Sequence, residues 1–193
     1  IKKTKLNHVI MSTGMASKNE IIFAFKLFKK NITLLHCVSL YPTNYNELNL
    51  NRMKKLLSIT KNVGLSDHSI GVIGSIKAIN LGARIIEKHF TFSKDADGPD
   101  HKSSADFNDL KIICDFAKEN KNMEGTGKIE PSKKELKMRI FARKSMFAKK
   151  DIQIGERFTE QNITCKRPGY GIEANKYYKI LGKRSKKKFK KFE

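Results

Sequence analysis

Two short apolar segments of the sequence each end in a histidine with acidic or hydroxyl neighbours. In "VGLSDHS", His68 follows Ser66 and Asp67. In "IIEKHFT", His89 follows Glu87. Imidazole nitrogens bind divalent transition metals and also transfer protons near neutral pH. A lone histidine is usually a structural residue, but two at equivalent positions of consecutive segments indicate a shared site.

The segments belong to a regular alternation of apolar runs and amphipathic stretches over the first 122 residues, which predicts parallel strands joined by helices. Ser17 and Glu20 form a capping box at the start of the first helix. Four strand–helix units with nearly continuous apolar strands predict half of a (β/α)8 barrel. The predicted strands are 8–13, 32–39, 62–66 and 83–90, and the predicted helices are 17–30, 49–60, 70–82 and 106–120.

Both histidines lie at the carboxyl ends of their predicted strands, where parallel α/β proteins bind ligands. The alternation of a strand places Ser66 and His68 on one side and Asp67 on the other. Glu87 and His89 likewise share a side. Because adjacent strands lie about 4.8 Å apart, two histidines facing inward can hold one metal ion between them.

Other polar residues follow the same strand ends. Ser39 and Tyr41 come just after the second strand, and Asp100 lies in the polar loop "DADGPDHKSS" after the fourth. We expect them to reach the same mouth, although the loop also reads as an ordinary connection to a helix capped near Ser103. His36 lies within the second strand and is expected to pack in the barrel wall.

A change of composition divides the chain. Residues 1–123 form the predicted half barrel, and 124–137, "EGTGKIEPSKKELK", reads as a linker because it contains glycine, proline and mixed charges but little apolar content. Residues 138–193 form a smaller predicted unit of short β-like pieces, at 145–159, 163–172 and 177–183.

The net charge of +21 favours anionic partners but does not choose among them. The lysines are spread along the chain, and only 183–191, "KRSKKKFKK", is a dense basic run. Because no recognisable nucleic-acid module surrounds this run, the sequence does not favour nucleic-acid binding. The alternative function left open is a non-catalytic basic module that binds nucleic acid or an anionic surface.

Cysteine content and hydropathy indicate the cellular compartment in which the protein works. The three cysteines are scattered, with no CxxC spacing, which argues against a disulfide framework and suits a reducing cytoplasm. No stretch approaches the roughly 20 apolar residues that span a bilayer, so no membrane association is expected. The sequence opens at Ile1 rather than methionine, which suggests a fragment of a longer chain.

Taken together, several motifs resemble the sialic acid synthase family, which includes N-acetylneuraminate and N,N'-diacetyllegionaminate synthases. The resemblance covers nearly the whole chain in the same order, and the joint match is far more specific than any single motif. It implies the second half of a TIM barrel followed by a small β-rich antifreeze-like (SAF) domain. The matching motifs are "STGMA" (12–16), "LLHCVSLYPT" (34–43), "VGLSDHS" (63–69), "GARIIEKHFT" (82–91), "GPDHKSS" (98–104), "RKSMFAKKDIQIGE" (143–156) and "KRPGYGI" (166–172).

The resemblance implies a reaction in which phosphoenolpyruvate condenses with an N-acetylated aldose to give a nine-carbon 2-keto acid and phosphate. The cofactor it implies is a divalent metal, manganese or magnesium, with His68 and His89 as ligands. Two imidazoles favour manganese, because magnesium prefers oxygen ligands. The family motifs also assign roles to five other positions: phosphoenolpyruvate contacts to Ser39 and Ser66, sugar hydroxyl contacts to Tyr41 and Asp100, and an N-acetyl contact to Arg167.

The resemblance also implies that Arg167 reaches the site of the other subunit, and therefore that the full-length enzyme is a domain-swapped homodimer. The family's first four barrel strands have no counterpart in the 193 residues. Because those strands carry the phosphate-binding lysines and a candidate general base, no catalytic residue is assigned here, and the chain alone is expected to be inactive. The "GPDHKSS" motif resembles the neuraminate and legionaminate branches more than the pseudaminate branch, without fixing the sugar.

Overall fold

The computed structural model describes residues 7–28 and 32–193, which fall into two compact units, Ile1–Thr126 and Gly127–Glu193. Residues 1–6 of the predicted first domain lie outside the described residues, as do the last two residues of the predicted helix 17–30. Each unit has its own core.

The first unit is built on a four-stranded parallel sheet in the order β1-β2-β3-β4. Helices connect successive strands, so the predicted half barrel is confirmed, with elements shorter than most of the predicted ranges. The strands are β1 (Val9–Ser12), β2 (Ile32–Cys37), β3 (Val63–Asp67) and β4 (Ile86–Lys88), and the helices are α1 (Lys18–Phe28), α2 (Asn51–Leu57), α3 (Ile73–Asn80) and α4 (Phe107–Glu124).

The two central strands hold the core of this unit. Every residue of β2 and β3 is buried, as expected for parallel strands covered by helices. The core forms where apolar side chains of the strands meet α2 and α3, and it comprises Ile32, Leu34, Met53, Leu56, Val63, Leu65 and Ala78. His36 packs in this wall as predicted, 1% exposed, with its Nε2 donating to the Leu48 carbonyl at 2.7 Å.

Side-chain caps begin two of these helices. The predicted capping box at α1 is present, because the Ser17 amide donates to Glu20 Oε2 at 2.7 Å and the Glu20 amide to Ser17 Oγ at 3.4 Å. The cap of α4 expected near Ser103 was wrong, because the helix begins later. Its cap is Asp106, which accepts from the Asp109 amide at 2.9 Å, and both residues also pair with Lys94.

The second unit differs from its sequence prediction in two places. Helix α5 (Lys133–Ala142) occupies part of the stretch predicted as linker, since Ser132 and Glu135 cap it in a reciprocal box. The segment at 177–183, predicted as β-like, instead contains the short helix α6 (Tyr177–Ile180), which follows a 3-10 turn at Ala174–Lys176.

The β content of this unit is one antiparallel pair and several isolated bridges. Strands β5 (Ser145–Ala148) and β6 (Ile163–Lys166) pair directly. Ala148, Ile152 and Ile163 form the buried core, against which Phe189 of the basic run packs. The Lys187 ammonium lies 4.6 Å from the Phe189 ring centre. The only aromatic of the run is thus partly used in the core rather than presented for stacking on bases.

Candidate active site

The register of β3 and β4 brings the two histidines side by side. Ser66 pairs with Glu87 and Asp67 with Lys88, so the next residue on each strand is a histidine at the same edge of the sheet. The rings of His68 and His89 lie 5.5 Å apart between centres, at an angle of 80°. The structure therefore places His68 and His89 next to each other at the carboxyl ends of their strands, as predicted.

His68 is fixed by contacts with the segment after β2. Its Nδ1 lies 2.9 Å from the Val38 carbonyl oxygen, and because a carbonyl only accepts, Nδ1 carries the proton. In the neutral imidazole with this tautomer, Nε2 carries the lone pair and is the atom that can ligate a metal. The Thr43 amide also donates to the His68 carbonyl at 2.9 Å.

Tyr41 and Asp100 surround the histidine pair. The Tyr41 ring centre lies 4.1 Å from that of His68 and 5.6 Å from that of His89. Asp100 Oδ2 lies 3.8 Å from His89 Nδ1, with both side chains about half exposed. Partial desolvation raises the pKa of Tyr41, although the residue is about half exposed, and the nearby carboxylates of Asp100 and Glu87 add to the effect. The phenol therefore stays protonated and can donate a hydrogen bond.

Ser66 and Ser39 lie beside this cluster. The Ser66 hydroxyl donates to Glu87 Oε1 at 2.7 Å. Ser39 Oγ lies 3.8 Å from Cys37 Sγ, which in turn lies 3.9 Å from His68 Nδ1. Glu87 was placed on the correct side of its strand by sequence reasoning but was not assigned to the site. Its signal was a carboxylate two residues before a histidine, on the same face.

The donor set suits a transition metal better than magnesium. Two imidazoles at the observed spacing fit around one ion, given nitrogen–metal distances of about 2 Å. Within residues 7–28 and 32–193, no group of three or more His, Cys, Asp or Glu side chains is arranged to hold a metal. An ion bound by the histidine pair would therefore complete its shell with water or substrate oxygen.

The opposite side of the same strand ends holds a charged pair that sequence reasoning missed. Lys88 Nζ lies 3.2 Å from Asp67 Oδ2, and both side chains are almost completely buried. A signal was available, because the outward face of a covered parallel strand is normally apolar and each strand instead places a charge there, immediately before its histidine.

Arg167 lies in the second unit, just after β6, and is exposed. It makes no ion pair with any other residue that the structure describes. Its assignment to a substrate therefore stays a prediction. In the described part of the chain, no helix is both long and apolar enough to cross a membrane.

Comparison with known proteins agrees with this geometry. Residues 1–129 match the NeuB family, and residues 143–191 match the SAF domain. The N,N'-diacetyllegionaminic acid synthase of Campylobacter jejuni is 45% identical, with 98% of this chain aligned to 59% of that protein. A pseudaminic acid synthase of the same species is 39% identical, with 94% of this chain aligned to 54% of it.

Solved structures of similar proteins indicate the same family. The N-acetylneuraminic acid synthetase of Leptospira borgpetersenii, solved with citrate, superposes with a TM-score of 0.61 at 38% identity, covering 67% of this chain and 47% of that one. A putative spore coat polysaccharide biosynthesis protein E of Chromobacterium violaceum gives a TM-score of 0.69 at 25% identity, covering 100% and 60%. The chain thus spans little more than half the length of these curated relatives. It belongs to the NeuB family and carries a SAF domain after its half barrel.

Proposed function

We propose that the protein condenses phosphoenolpyruvate with an N-acetylated aldose, N-acetylmannosamine or a 2,4-diacetamido sugar, to form a nine-carbon 2-keto acid and phosphate. The observation that carries the proposal is the pair His68 and His89, at adjacent strand ends, with Tyr41 and Asp100 packed around it. The names of the relatives, which are nonulosonic acid synthases, support this reaction class.

The reaction forms one carbon–carbon bond, from C3 of the enol to the sugar's aldehyde carbon. Water adds at C2, and the C2–oxygen bond to phosphate breaks. His68 and His89 would hold a divalent ion, manganese or magnesium, which supplies Lewis-acid polarisation of a carbonyl when bound. The protonated Tyr41 donates to a sugar oxygen, whereas the Asp100 carboxylate accepts from sugar hydroxyls.

Ser66 and Ser39 bind phosphoenolpyruvate in this proposal. The Ser66 hydroxyl donates a hydrogen bond to Glu87 Oε1 in this structure, so it must turn its proton away from Glu87 to donate to the phosphoenolpyruvate anion. Arg167 binds the sugar's N-acetyl oxygen from the second subunit of a domain-swapped homodimer. We place the reaction in the cytoplasm. The 193 residues alone should release no phosphate, because the resemblance assigns the phosphate-binding lysines to barrel strands that they do not contain.

The histidine pair is testable on the chain as it stands, by manganese titration followed by calorimetry. The wild type should bind one ion, and His68→Ala or His89→Ala should each remove binding while leaving the circular dichroism spectrum unchanged. His8→Ala is the matched control, because His8 bonds to Thr33 near the start of β2, at the opposite end of the sheet. Unchanged affinity in either His68→Ala or His89→Ala contradicts the proposed site.

A further inference from the structure

A buried ion pair lies directly behind the two histidines. Asp67 precedes His68 and Lys88 precedes His89, and the two charged groups meet at 3.2 Å with side chains 0% and 1% exposed. Alternation along each strand turns them away from the histidine side, towards α3, where Ser75 donates to Asp67 Oδ2 at 2.6 Å. The pair therefore joins the two strand ends from the helix side.

The hydrogen bonds of this pair enclose the backbone of His68. Asp67 Oδ1 accepts from both the amide of Ser69, at 2.9 Å, and its hydroxyl, at 2.6 Å. Lys88 Nζ donates to the Ser69 carbonyl at 2.5 Å. The residues on either side of His68 are thus tied to each other and to the strand that carries His89.

Helix α3 is packed close enough to keep water out of this network. A methyl group placed on Gly74 would meet Ser69 Oγ at 2.7 Å and Asp67 Oδ1 at 3.1 Å. Burying two charges costs solvation energy that their attraction often only offsets, so a buried pair by itself is weak evidence for stability. Its directional bonds, in contrast, are made only when the two strand ends lie close together, and so favour the observed register.

We infer that Asp67 and Lys88 are positioning residues that set the separation of His68 and His89. The inference rests on the proposed function, in which both imidazoles bind one ion. A change in the Asp67–Lys88 contact moves one strand end relative to the other, and the distance between the imidazole nitrogens changes with it. The pair contacts neither the substrate side nor the metal position, and it acts through the backbone.

The decisive variant is the double substitution Asp67→Asn with Lys88→Met, which removes both charges and leaves no unpaired ion in the interior. Lys88→Met alone leaves Asp67 uncompensated and is liable to unfold. Lys94→Met is the matched control, since Lys94 pairs with Asp106 and Asp109 at the start of α4. Circular dichroism verifies that each variant is folded before use.

Two measurements on the whole chain test the inference. Without metal, the nuclear Overhauser effect between the ring protons of His68 and His89 should weaken at least threefold in the double variant and stay at wild-type strength in Lys94→Met. With manganese, affinity should fall by about tenfold or more, the lower end of the range for lost outer-shell groups, because the two imidazoles no longer lie at the spacing that one ion requires. A folded double variant with the wild-type Overhauser effect overturns the inference. If the wild type binds no manganese, the metal site of the proposed function fails, while the metal-free measurement still decides the positioning role.

Discussion

Gly64, in the middle of β3, allows the close approach of the strands that carry the histidines. A methyl group added there would lie 2.3 Å from the Ile85 carbonyl oxygen and 2.6 Å from Leu35 Cδ2. Carbon contacts are optimal at about 3.5–4.0 Å, so relief requires a movement of about 1 Å between β3 and its neighbours. The Ile85 oxygen is backbone and cannot rotate away. It also accepts from the Leu65 amide at 2.9 Å, so the movement weakens a bond of the ladder.

The cost of Gly64→Ala follows from these two effects. Overpacking of a tight core costs about 1–3 kcal/mol, and one backbone hydrogen bond contributes about 1 kcal/mol net. We expect a loss of about 2–4 kcal/mol in the first unit, a large part of the 5–15 kcal/mol typical of a domain. The same movement displaces β4 and therefore His89, so manganese affinity should fall as well.

Hydrogen–deuterium exchange read by mass spectrometry measures this effect where it occurs. Since each 1.4 kcal/mol is a factor of ten, amides in peptides from 62–91 should exchange at least about thirtyfold faster, while peptides from 143–191 serve as an internal reference. Gly171→Ala is the matched control, because its added methyl would have no neighbour nearer than 3.7 Å. Exchange in 62–91 within threefold of the wild type refutes the steric reasoning.

Two further changes test the scaffold. Burial lowers the pKa of His36 below 6.5; the hydrogen bond to Leu48 opposes this shift and the charge of Arg52 adds to it. Between that lowered pKa and 6.5 the unfolded chain binds more protons than the folded chain, so stability should fall as pH drops below about 6.5. An NMR titration that places His36 at or above 6.5 contradicts this. Ser132→Ala removes the cap of α5 and should lower the free energy of unfolding in urea by about 1 kcal/mol. The control is Lys134→Ala at an exposed position, which should leave the unfolding midpoint unchanged. Equal midpoints for the two variants would show that the cap contributes little.

The fold of the first unit was predictable from local patterns, because the strands of a covered parallel sheet are apolar runs and the helices between them are amphipathic stretches. His68 and His89 were found for the same reason, since equivalent positions of consecutive strands reach the same edge of the sheet. Helix α5 was missed although Ser132 and Glu135 carry its capping signal, because the glycines and the proline before them favoured a linker.

The sequence by itself therefore determined the strand order, the side on which each histidine lies and the family to which the motifs belong. Only the tertiary structure decided that Asp67 meets Lys88 in the interior, that Ser66 bonds to Glu87, and that Tyr41 packs on His68. The periodicity of one strand gives the direction of a side chain but not its distance from a residue on another strand. That distance depends on register, strand twist and helix packing, which arise only when the whole sheet is assembled.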